Sequence, residues 1–399
     1  MNKEFPDHWK SFDLKDICFF QEGPGLRNWE YREKGTKFIN IRCIKDGYLD
    51  TSISQFISSD EVESKYNHFL LNEGDYVLSS SGTIGRIAVV HKYDLPLLLN
   101  TSVIRFRTLD ESKLDSKYLF YFLQSKQFYE KIFEQSQGSA QVNFGPSHLK
   151  LLNASFPTLP EQKKIAEILF EIDKLKKCCT DEIKKIDLVE KSLWSELFPE
   201  EENDEWRKII VSEIGTVIRG ASPRPKGDPR YYGGNVPRLM VADVTRDGKK
   251  VIPNIDFLTE EGAKLSRPVP AGTLTIVCSG VVGVPSILSV PACIHDGFLA
   301  IKDISKSCLT EYLYYYFKPL QSRLDSSATH GGIFTNLTTE ILKNFPVMLP
   351  SLRKQKEICE ILNIIDCYRD SLLKKKEKIQ FLFNSVSSEL LTGRKRVDV

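Results

Sequence analysis

The residues best suited to contact a ligand lie in a basic loop near the middle of the chain. Residues 219–234 hold four basic side chains against one acid, among three prolines and four glycines. Basic groups bind phosphate, while arginine, tyrosine and small polar groups can hydrogen-bond to nucleobases or stack on them. The loop therefore predicts a nucleic-acid contact, with an ordinary solvated loop as the alternative. The candidate DNA-binding residues are Arg219, Ser222, Arg224, Lys226, Arg230, Tyr231 and Tyr232.

A second loop occupies the matching place in an earlier part of the chain. Residues 21–32 offer Arg27, Trp29, Tyr31 and Arg32, in a sequence that differs from the later loop. Such divergence is expected if each loop reads a different half of a DNA site. Here too an exposed loop without a partner fits the composition.

Two glycine turns also qualify as candidates. Residues 81–86 and 279–284 each lie between predicted strands. Glycine permits a tight turn and a close approach to a phosphate or base, although a plain hairpin turn fits as well. No helix follows and a third glycine is missing, so neither turn is a dinucleotide fingerprint. The candidates here are Ser81, Thr83, Arg86 and Ser279.

Two amide-bearing segments, 138–143 and 331–336, precede long helical patterns. Gln141 and Asn143 suit adenine, and Thr335 and Asn336 can hydrogen-bond to other base edges. Asparagine is also a common turn and cap residue, so Asn143 and Asn336 have a structural alternative.

Motifs for catalysis are missing. No Asn/Asp-Pro-Pro-aromatic loop and no phosphate-binding P-loop occurs. The triplets 13–15 and 247–249 resemble fragments of nuclease motifs but lack an upstream metal-binding acid. Nine scattered cysteines without a Cys-x-x-Cys pair indicate reduced thiols rather than metal ligands. We expect no catalytic residue, no metal and no cofactor.

Composition limits where a nucleic-acid surface can lie. The 399 residues carry a net charge of only +2, so any such surface must be local. No stretch reaches the roughly 18 apolar residues of a membrane span, and the start lacks the apolar core of a signal peptide. A cytoplasmic protein that does not contact membranes is expected.

The chain contains an internal repeat that organises all of these candidates. Residues 138–173 match a later copy at a constant offset of 193 residues, including a Pro-x-Leu-x-x-Gln motif at 157–162 and at 350–355. A unit of this length is a domain with its own core rather than a solenoid repeat. The repeat predicts two similar domains related by a pseudo-two-fold axis.

Each domain is followed by a sustained heptad pattern. Two long helices are predicted, packed as an antiparallel coiled coil. Secondary seam positions are expected at Ile168, Leu175, Val189, Ile361, Tyr368 and Leu382. The main seam is predicted at Ile165, Ile172, Ile186, Leu193, Ile358, Ile365, Leu372, Ile379 and Val386.

These patterns together predict an α+β fold in four segments. Residues 1–155 are expected to form a first mixed, strand-rich domain and 156–200 a central helical spacer. Residues 201–347 are expected to form a second such domain and 348–399 a C-terminal helical spacer. Antiparallel helices would hold two similar domains apart and inverted, as a two-part DNA site requires.

The ordered set of motifs resembles the specificity subunit of type I restriction-modification systems. The helix-introducing sequence at 349–358, its near-copy at 156–165, and the ending at 389–397 carry the resemblance over nearly the full length. It implies two target recognition domains, each reading half of a bipartite, asymmetric site in double-stranded DNA. It also implies docking of two methyltransferase subunits and of restriction subunits, which supply the chemistry. A duplicated coiled-coil adaptor that binds only protein is the competing hypothesis.

Overall fold

The computed structural model describes residues 5–45, 47–134, 143–199, 201, 204–320 and 337–398. The chain divides into two compact units. Residues 1–180 and 374–399 form unit 1, and residues 181–373 form unit 2. The unit boundaries fall inside the two long helices, whereas the sequence pattern divides the chain where domains meet helices.

Unit 1 contains two four-stranded sheets and a two-stranded ribbon. One sheet has the order β2-β9-β6-β7 and the other β3-β5-β4-β8, in which β4 and β8 are parallel. The strands are β1 (Lys10–Asp13), β2 (Cys18–Glu22), β3 (Tyr31–Arg32), β4 (Thr36–Ile39), β5 (Gln55–Ile57), β6 (Tyr76–Ser79), β7 (Ile87–Val89), β8 (Leu97–Leu99), β9 (Val103–Thr108) and β10 (Asn153–Phe156). The helices are Leu14–Ile17, Ser59–Glu61, Ser116–Phe122, Lys126–Glu134 and Pro146–Lys150.

Unit 2 has a related plan with one more strand in its first sheet. Its five-stranded sheet has the order β12-β20-β17-β18-β14, and its four-stranded sheet the order β15-β13-β19-β16. The strands are β11 (Trp206–Ile210), β12 (Thr216–Arg219), β13 (Tyr232–Leu239), β14 (Lys250–Val251), β15 (Asp256–Leu258), β16 (Arg267–Val269), β17 (Leu274–Val277), β18 (Pro285–Leu288), β19 (Ala292–Ile294), β20 (Phe298–Lys302) and β21 (Pro346–Pro350). The helices are Val211–Ile214, Val241–Asp247, Glu260–Lys264, Thr310–Phe317 and Thr339–Lys343.

Each domain is closed by pairing its first strand with its last. In unit 1, β1 is antiparallel to β10, with Lys10 opposite Phe156. In unit 2, β11 is antiparallel to β21, with Trp206 opposite Pro350. The two ends of each domain therefore lie side by side at the start of a long helix.

The long helices span Leu159–Leu197 and Leu352–Leu391. Unit 1 holds the start of the first long helix and the end of the second, while unit 2 holds the remaining parts. The aromatic helices Ser116–Phe122 and Thr310–Phe317 pack in the cores of their units, with Tyr118, Phe122, Tyr312 and Phe317 all buried.

Gln162 of the Pro-x-Leu-x-x-Gln motif locks the first long helix to its domain. Its side chain is buried, and its Nε2 donates to the carbonyl oxygens of Lys113 (2.8 Å) and Pro157 (3.0 Å). Its Oε1 accepts from the backbone N–H of Asp115 at 2.8 Å. One amide thus satisfies three backbone groups that would otherwise be buried without partners.

Gln355 repeats this clamp in unit 2. Its Nε2 donates to the carbonyl oxygens of Ser307 and Pro350, both at 2.9 Å. Its Oε1 accepts from the backbone N–H of Leu309 at 2.8 Å. The shared motif is therefore a structural joint between domain and helix in both copies.

A polar network joins the second domain to the helices in unit 2. Tyr315 donates its hydroxyl hydrogen to Asp366 at 2.9 Å. Lys318 lies 2.6 Å from carboxylate oxygens of both Asp366 and Glu190. Arg369 contacts Asp366 at 2.9 Å and also pairs with Glu190. These charged side chains are mostly shielded from solvent, so each depends on its partners.

The corresponding junction in unit 1 is largely aromatic. Tyr121 hydrogen-bonds to Asp173, and its ring lies 6.0 Å from the ring of Phe383, centroid to centroid. Lys176 pairs with Asp173 at 3.5 Å and stands 5.7 Å from the Phe383 centroid. A phenylalanine thus occupies the region that an acidic side chain fills in unit 2.

Burial along the long helices agrees with the main seam but not with the secondary one. Ile165, Ile172, Ile358 and Leu372 are buried, and Ile186, Leu193, Ile365, Ile379 and Val386 are half-buried. The prediction of secondary seam positions was wrong for five residues, which are exposed: Leu175, Val189, Ile361, Tyr368 and Leu382. The apolar face turns instead toward Leu169 and Leu362, because the helices also pack against the domains.

No helix in the described part of the chain is long and apolar enough to cross a membrane. All nine cysteines are free, and seven are buried, as expected of structural thiols.

Candidate nucleic-acid interface

The basic loop of unit 2 leaves β12 and is held against the turn that follows β19. Gly220 makes this approach possible, because an added Cβ would lie only 2.0 Å from the carbonyl oxygen of His295. The backbone N–H of Ala221 then donates to the carbonyl oxygen of Ile294 at 3.1 Å. The start of the loop is therefore fixed to the sheet.

Asp296 lies close to three of the predicted residues, Arg219, Ser222 and Arg224. Its carbonyl oxygen accepts from Nε of Arg219 at 3.1 Å, and its Oδ1 accepts from the hydroxyl of Ser222. Its Oδ2 lies 3.9 Å from the Arg224 guanidinium. The hydrogen bond from Ser222 lowers the pKa of Asp296, so the carboxylate is ionised at neutral pH.

A buried arginine supports this arrangement from below. Arg238 donates to the Ser222 oxygen at 2.8 Å and to Asp256 at 2.5 Å, with 7% of its side chain exposed. Its guanidinium stands 5.4 Å from the Tyr232 ring centroid. Ser222 is thereby oriented from both sides.

The rest of the loop divides into exposed and internal groups. Arg224 and Lys226 are exposed, and Arg230 is exposed but paired with Asp228 at 2.7 Å. Arg230 also stands 5.2 Å from the Tyr231 ring centroid. Tyr232 is a supporting residue, because its hydroxyl donates to the carbonyl oxygen of Pro223 at 2.8 Å.

The glycine turn of unit 2 lies beside this cluster. The backbone N–H of Cys278 donates to the carbonyl oxygen of Gly297 at 2.8 Å, and a Cβ at Gly297 would lie 2.9 Å from the Ser279 hydroxyl oxygen. The structure thus brings Ser279 together with the basic loop. Their proximity was not readable from the sequence, where about fifty positions separate them.

The first-copy loop is also exposed but is differently held. Trp29 is 75% exposed, and the Arg27 guanidinium stands 5.9 Å from its ring centroid. Arg32 donates to the carbonyl oxygens of Trp29 and Tyr31 at 3.0 Å each. Tyr31 is half-buried and packs against Phe38, which makes it a supporting residue.

The glycine turn of unit 1 is braced from within. Ser79 donates its hydroxyl hydrogen to the carbonyl oxygen of Thr83 at 2.6 Å and accepts from the backbone N–H of Arg86 at 2.9 Å. Thr83 and Arg86 are exposed and Ser81 is half-buried. The exposed Asn143 lies next in sequence to Phe144, whose N–H donates to the Ser80 carbonyl oxygen at 3.1 Å. The turn and Asn143 are thus neighbours.

Three predicted residues, Gln141, Thr335 and Asn336, lie outside the described residues. Asp296, Arg238 and Asp256 belong to the cluster but were missed by sequence reasoning, which searched for basic and amide groups. Within the described ranges, no group of three or more His, Cys, Asp or Glu side chains could hold a metal ion.

Comparisons with known proteins follow the same two-part plan. A family model described as "Type I restriction modification DNA specificity domain" matches residues 6–187 and again residues 203–380. The putative type I restriction enzyme MjaX specificity subunit of Methanocaldococcus jannaschii is 25% identical, over 99% of this chain and 95% of that protein. The type I restriction enzyme EcoKI specificity subunit of Escherichia coli K12 is 24% identical, over 88% and 80%.

Solved structures share the fold. The S subunit of a type I restriction-modification system from M. genitalium aligns with a TM-score of 0.55 at 18% identity, over 100% of this chain and 98% of that one. A chain from a type I R-M system, in work on its complex assembly, aligns with a TM-score of 0.61 at 16% identity, over 98% and 99%.

Proposed function

Because the chain belongs to the family of type I restriction-modification DNA specificity domains, we propose that it is the sequence-reading subunit of such a system. The observation that carries this proposal is the double family match, at 6–187 and 203–380, onto two units that share the order of four sheet strands, β2-β9-β6-β7 in one and β12-β20-β17-β18 in the other. Each domain reads one half of a bipartite, asymmetric site in double-stranded DNA. The chain itself is not catalytic.

The proposed partners follow from the family. Two methyltransferase subunits supply methyl transfer, and restriction subunits supply cleavage. Residues 1–155 and 201–347 act as the recognition domains, and residues 156–200 and 348–399 act as the spacers.

The spacers are proposed to pair as antiparallel helices, and one contact within each unit supports this. In unit 1 Lys176 meets Phe383, and in unit 2 Glu190 meets Arg369. From Lys176 to Glu190 the contact position on the first long helix moves two heptads toward the C-terminus. From Phe383 to Arg369 the contact position on the second long helix moves two heptads toward the N-terminus. Equal steps in opposite directions are expected of two antiparallel helices that keep one register.

Contact with DNA is assigned to the exposed side chains of the loops and glycine turns. In unit 2 the exposed cations Arg224, Lys226 and Arg230 stand on one loop and can reach phosphates without disturbing the core, and the exposed Arg219 ends β12 where this loop begins. In unit 1 Trp29, Arg27 and Arg86 are the exposed groups suited to stacking and phosphate contact.

The test is the salt dependence of DNA binding by the complex of this chain with its methyltransferase subunits. Replacing Arg224, Lys226 and Arg230 together by glutamine is expected to weaken binding and to flatten the slope of log affinity against log salt. Each lost phosphate contact releases about 0.9 fewer counterions. The control replaces Lys306, Arg353 and Lys356, three exposed cations of the same unit, by glutamine.

An unchanged slope in the loop variant, or an equal change in the control, would remove this loop from the interface. A complex that binds no DNA at all would favour a protein-binding adaptor.

A further inference from the structure

One exposed acid stands among the cations of the proposed DNA surface of unit 2. Asp296 has 54% of its side chain exposed, next to Arg219 and Arg224. A carboxylate at such a place repels phosphates and weakens binding to DNA of every sequence. A carboxylate at this place can still favour DNA binding if it makes a contact that distinguishes one base sequence from others.

The carboxylate is held in one orientation by a chain of contacts that begins in the interior. Asp256 accepts from the buried Arg238, Arg238 donates to the Ser222 oxygen, and Ser222 donates to Oδ1 of Asp296. The backbone is fixed as well, because the N–H of Gly297 donates to Nδ1 of His295 at 2.9 Å. Such a group loses little conformational freedom when it binds a ligand.

The second carboxylate oxygen, Oδ2, can accept a hydrogen bond from a bound ligand. Within the part of the chain that the structure describes, the cation that pairs with Oδ2 is the Arg224 guanidinium, at 3.9 Å, which exceeds hydrogen-bonding distance. Arg224 has 72% of its side chain exposed and is not held in place by this contact. Among the described residues no side chain is within hydrogen-bonding distance of Oδ2, so Asp296 presents an oriented acceptor rather than a closed surface ion pair.

Among the groups on the edges of bases, an acceptor of this kind selects an amine. In the major groove cytosine presents only its N4 amino donor, guanine presents acceptors at N7 and O6, and thymine presents the acceptor O4. Adenine has an N6 donor beside the N7 acceptor, and N7 repels a carboxylate. Cytosine is the base that matches Asp296 best.

We propose that Asp296 is a specificity-determining residue of the second domain, whose Oδ2 accepts a hydrogen bond from the N4 amine of a cytosine in the half-site. Ser222 and Arg238 act as positioning residues for that carboxylate. The inference rests on the proposed function, because it assigns one base contact within the DNA surface proposed there.

The experiment measures base preference for the complex of this chain with its methyltransferase subunits, using duplexes randomised at every position of both half-sites. In the Asp296→Asn variant one position of the second half-site is expected to lose its preference for cytosine by about 5- to 150-fold. Asparagine can donate and accept, so preference at that position shifts toward adenine. The first half-site stays unchanged, and affinity for unrelated DNA rises.

The matched control is Asp228→Asn, which removes the acid of the neighbouring basic loop. Asp228 pairs with Arg230 and makes no contact in the chain from Asp256 to Asp296. It is expected to leave every base preference unchanged. Ser222→Ala keeps the carboxylate but frees it, and is expected to relax the same position by a smaller factor. Thermal unfolding of each complex establishes that the variants are folded.

The proposal is overturned if Asp296→Asn changes affinity without changing any base preference, or if Ser222→Ala and Asp228→Asn relax the same position equally. A wild-type complex that shows no base preference in either half-site would instead overturn the proposed function. The two failures are therefore distinguishable.

Discussion

The two units attach a domain to the long helices with equivalent residues but complete the contact differently. Tyr121 with Asp173 in unit 1 corresponds to Tyr315 with Asp366 in unit 2. Around this shared pair, unit 1 packs Phe383 against the ring, whereas unit 2 builds a network of ions.

The difference shows which part of the junction the fold requires. The tyrosine and aspartate pair and the glutamine clamp occur in both copies, so they are the common joint. The remaining contacts can be aromatic or ionic, because either kind fills the space between a domain and two helices. The ionic version depends more strongly on each partner, since an unpaired charge in a shielded place is costly.

The largest effect is expected from Arg369→Ala in unit 2. The change removes Arg369 from Asp187 and leaves Lys318 as the cation that pairs with Glu190 and Asp366. We expect a loss of about 2 to 3 kcal/mol of local stability, below the full cost for a completely buried pair. Hydrogen–deuterium exchange of the amides around residues 310–318 measures it.

The matched change in unit 1 is Lys176→Ala, which removes one ion pair and one cation–π contact. Its expected cost is about 1 kcal/mol. Equal costs for the two variants would show that the ionic and aromatic junctions do not differ as described.

The clamp is expected to contribute equally in both units. Gln162→Ala and Gln355→Ala each leave one N–H and two carbonyl groups without their side-chain partner. We expect about 2 kcal/mol of local destabilisation in each case. Exchange at Asp115 and Leu309 reports each clamp directly, and a cost confined to one unit would contradict a common joint.

The smallest expected difference is a pH dependence of local stability at the turn of unit 2 that contains His295. Burial, aided by the charge of Arg238, lowers the pKa of His295 below its ordinary value of 6.5. The folded unit therefore keeps the imidazole neutral, and the unfolded chain takes up the proton more readily as the pH falls through 6.5. Stability is thus lost on the acid side.

Unit 1 has Asn100 at the corresponding place, where its side chain accepts from the backbone N–H of Ser102 at 3.1 Å. His295→Asn is therefore the natural control. Amides 295–298 are expected to exchange faster below about pH 6.5 in the wild type and not in this variant, relative to the intrinsic rate at each pH. Asp296, Asp256 and Lys226 also act on His295, so both chains are compared at the same ionic strength. A pH response retained by the variant would exclude His295 as its source.

The repeat and the long helices could be predicted from the sequence because both depend on local patterns. The matching motifs defined the second copy, and the heptad pattern predicted two long helices, which span Leu159–Leu197 and Leu352–Leu391. The prediction of the secondary seam was wrong because heptad spacing assumes that each helix packs only against a partner helix on one face. Here Leu169 and Leu362 belong to the domain cores as well.

The candidate site was only partly predictable. Exposed loop cations such as Arg224 stand out by composition, but the groups that orient them do not. Asp296, Ser222 and Arg238 meet only after three separate segments are brought together by β12, β13 and β19. Tyr31 and Tyr232 were predicted to contact DNA. The Tyr31 ring packs against Phe38 instead, and the Tyr232 hydroxyl donates to the carbonyl oxygen of Pro223.

The ribbons β1-β10 and β11-β21 have an evolutionary consequence. They place the entry and exit of each domain on adjacent strands, next to a helix that Gln162 or Gln355 locks in place. A gene crossover within these short segments exchanges everything between them and leaves the helices in their original register. Under the proposed function, such an exchange replaces one recognition domain, and with it the half-site that is read, in a single recombination event.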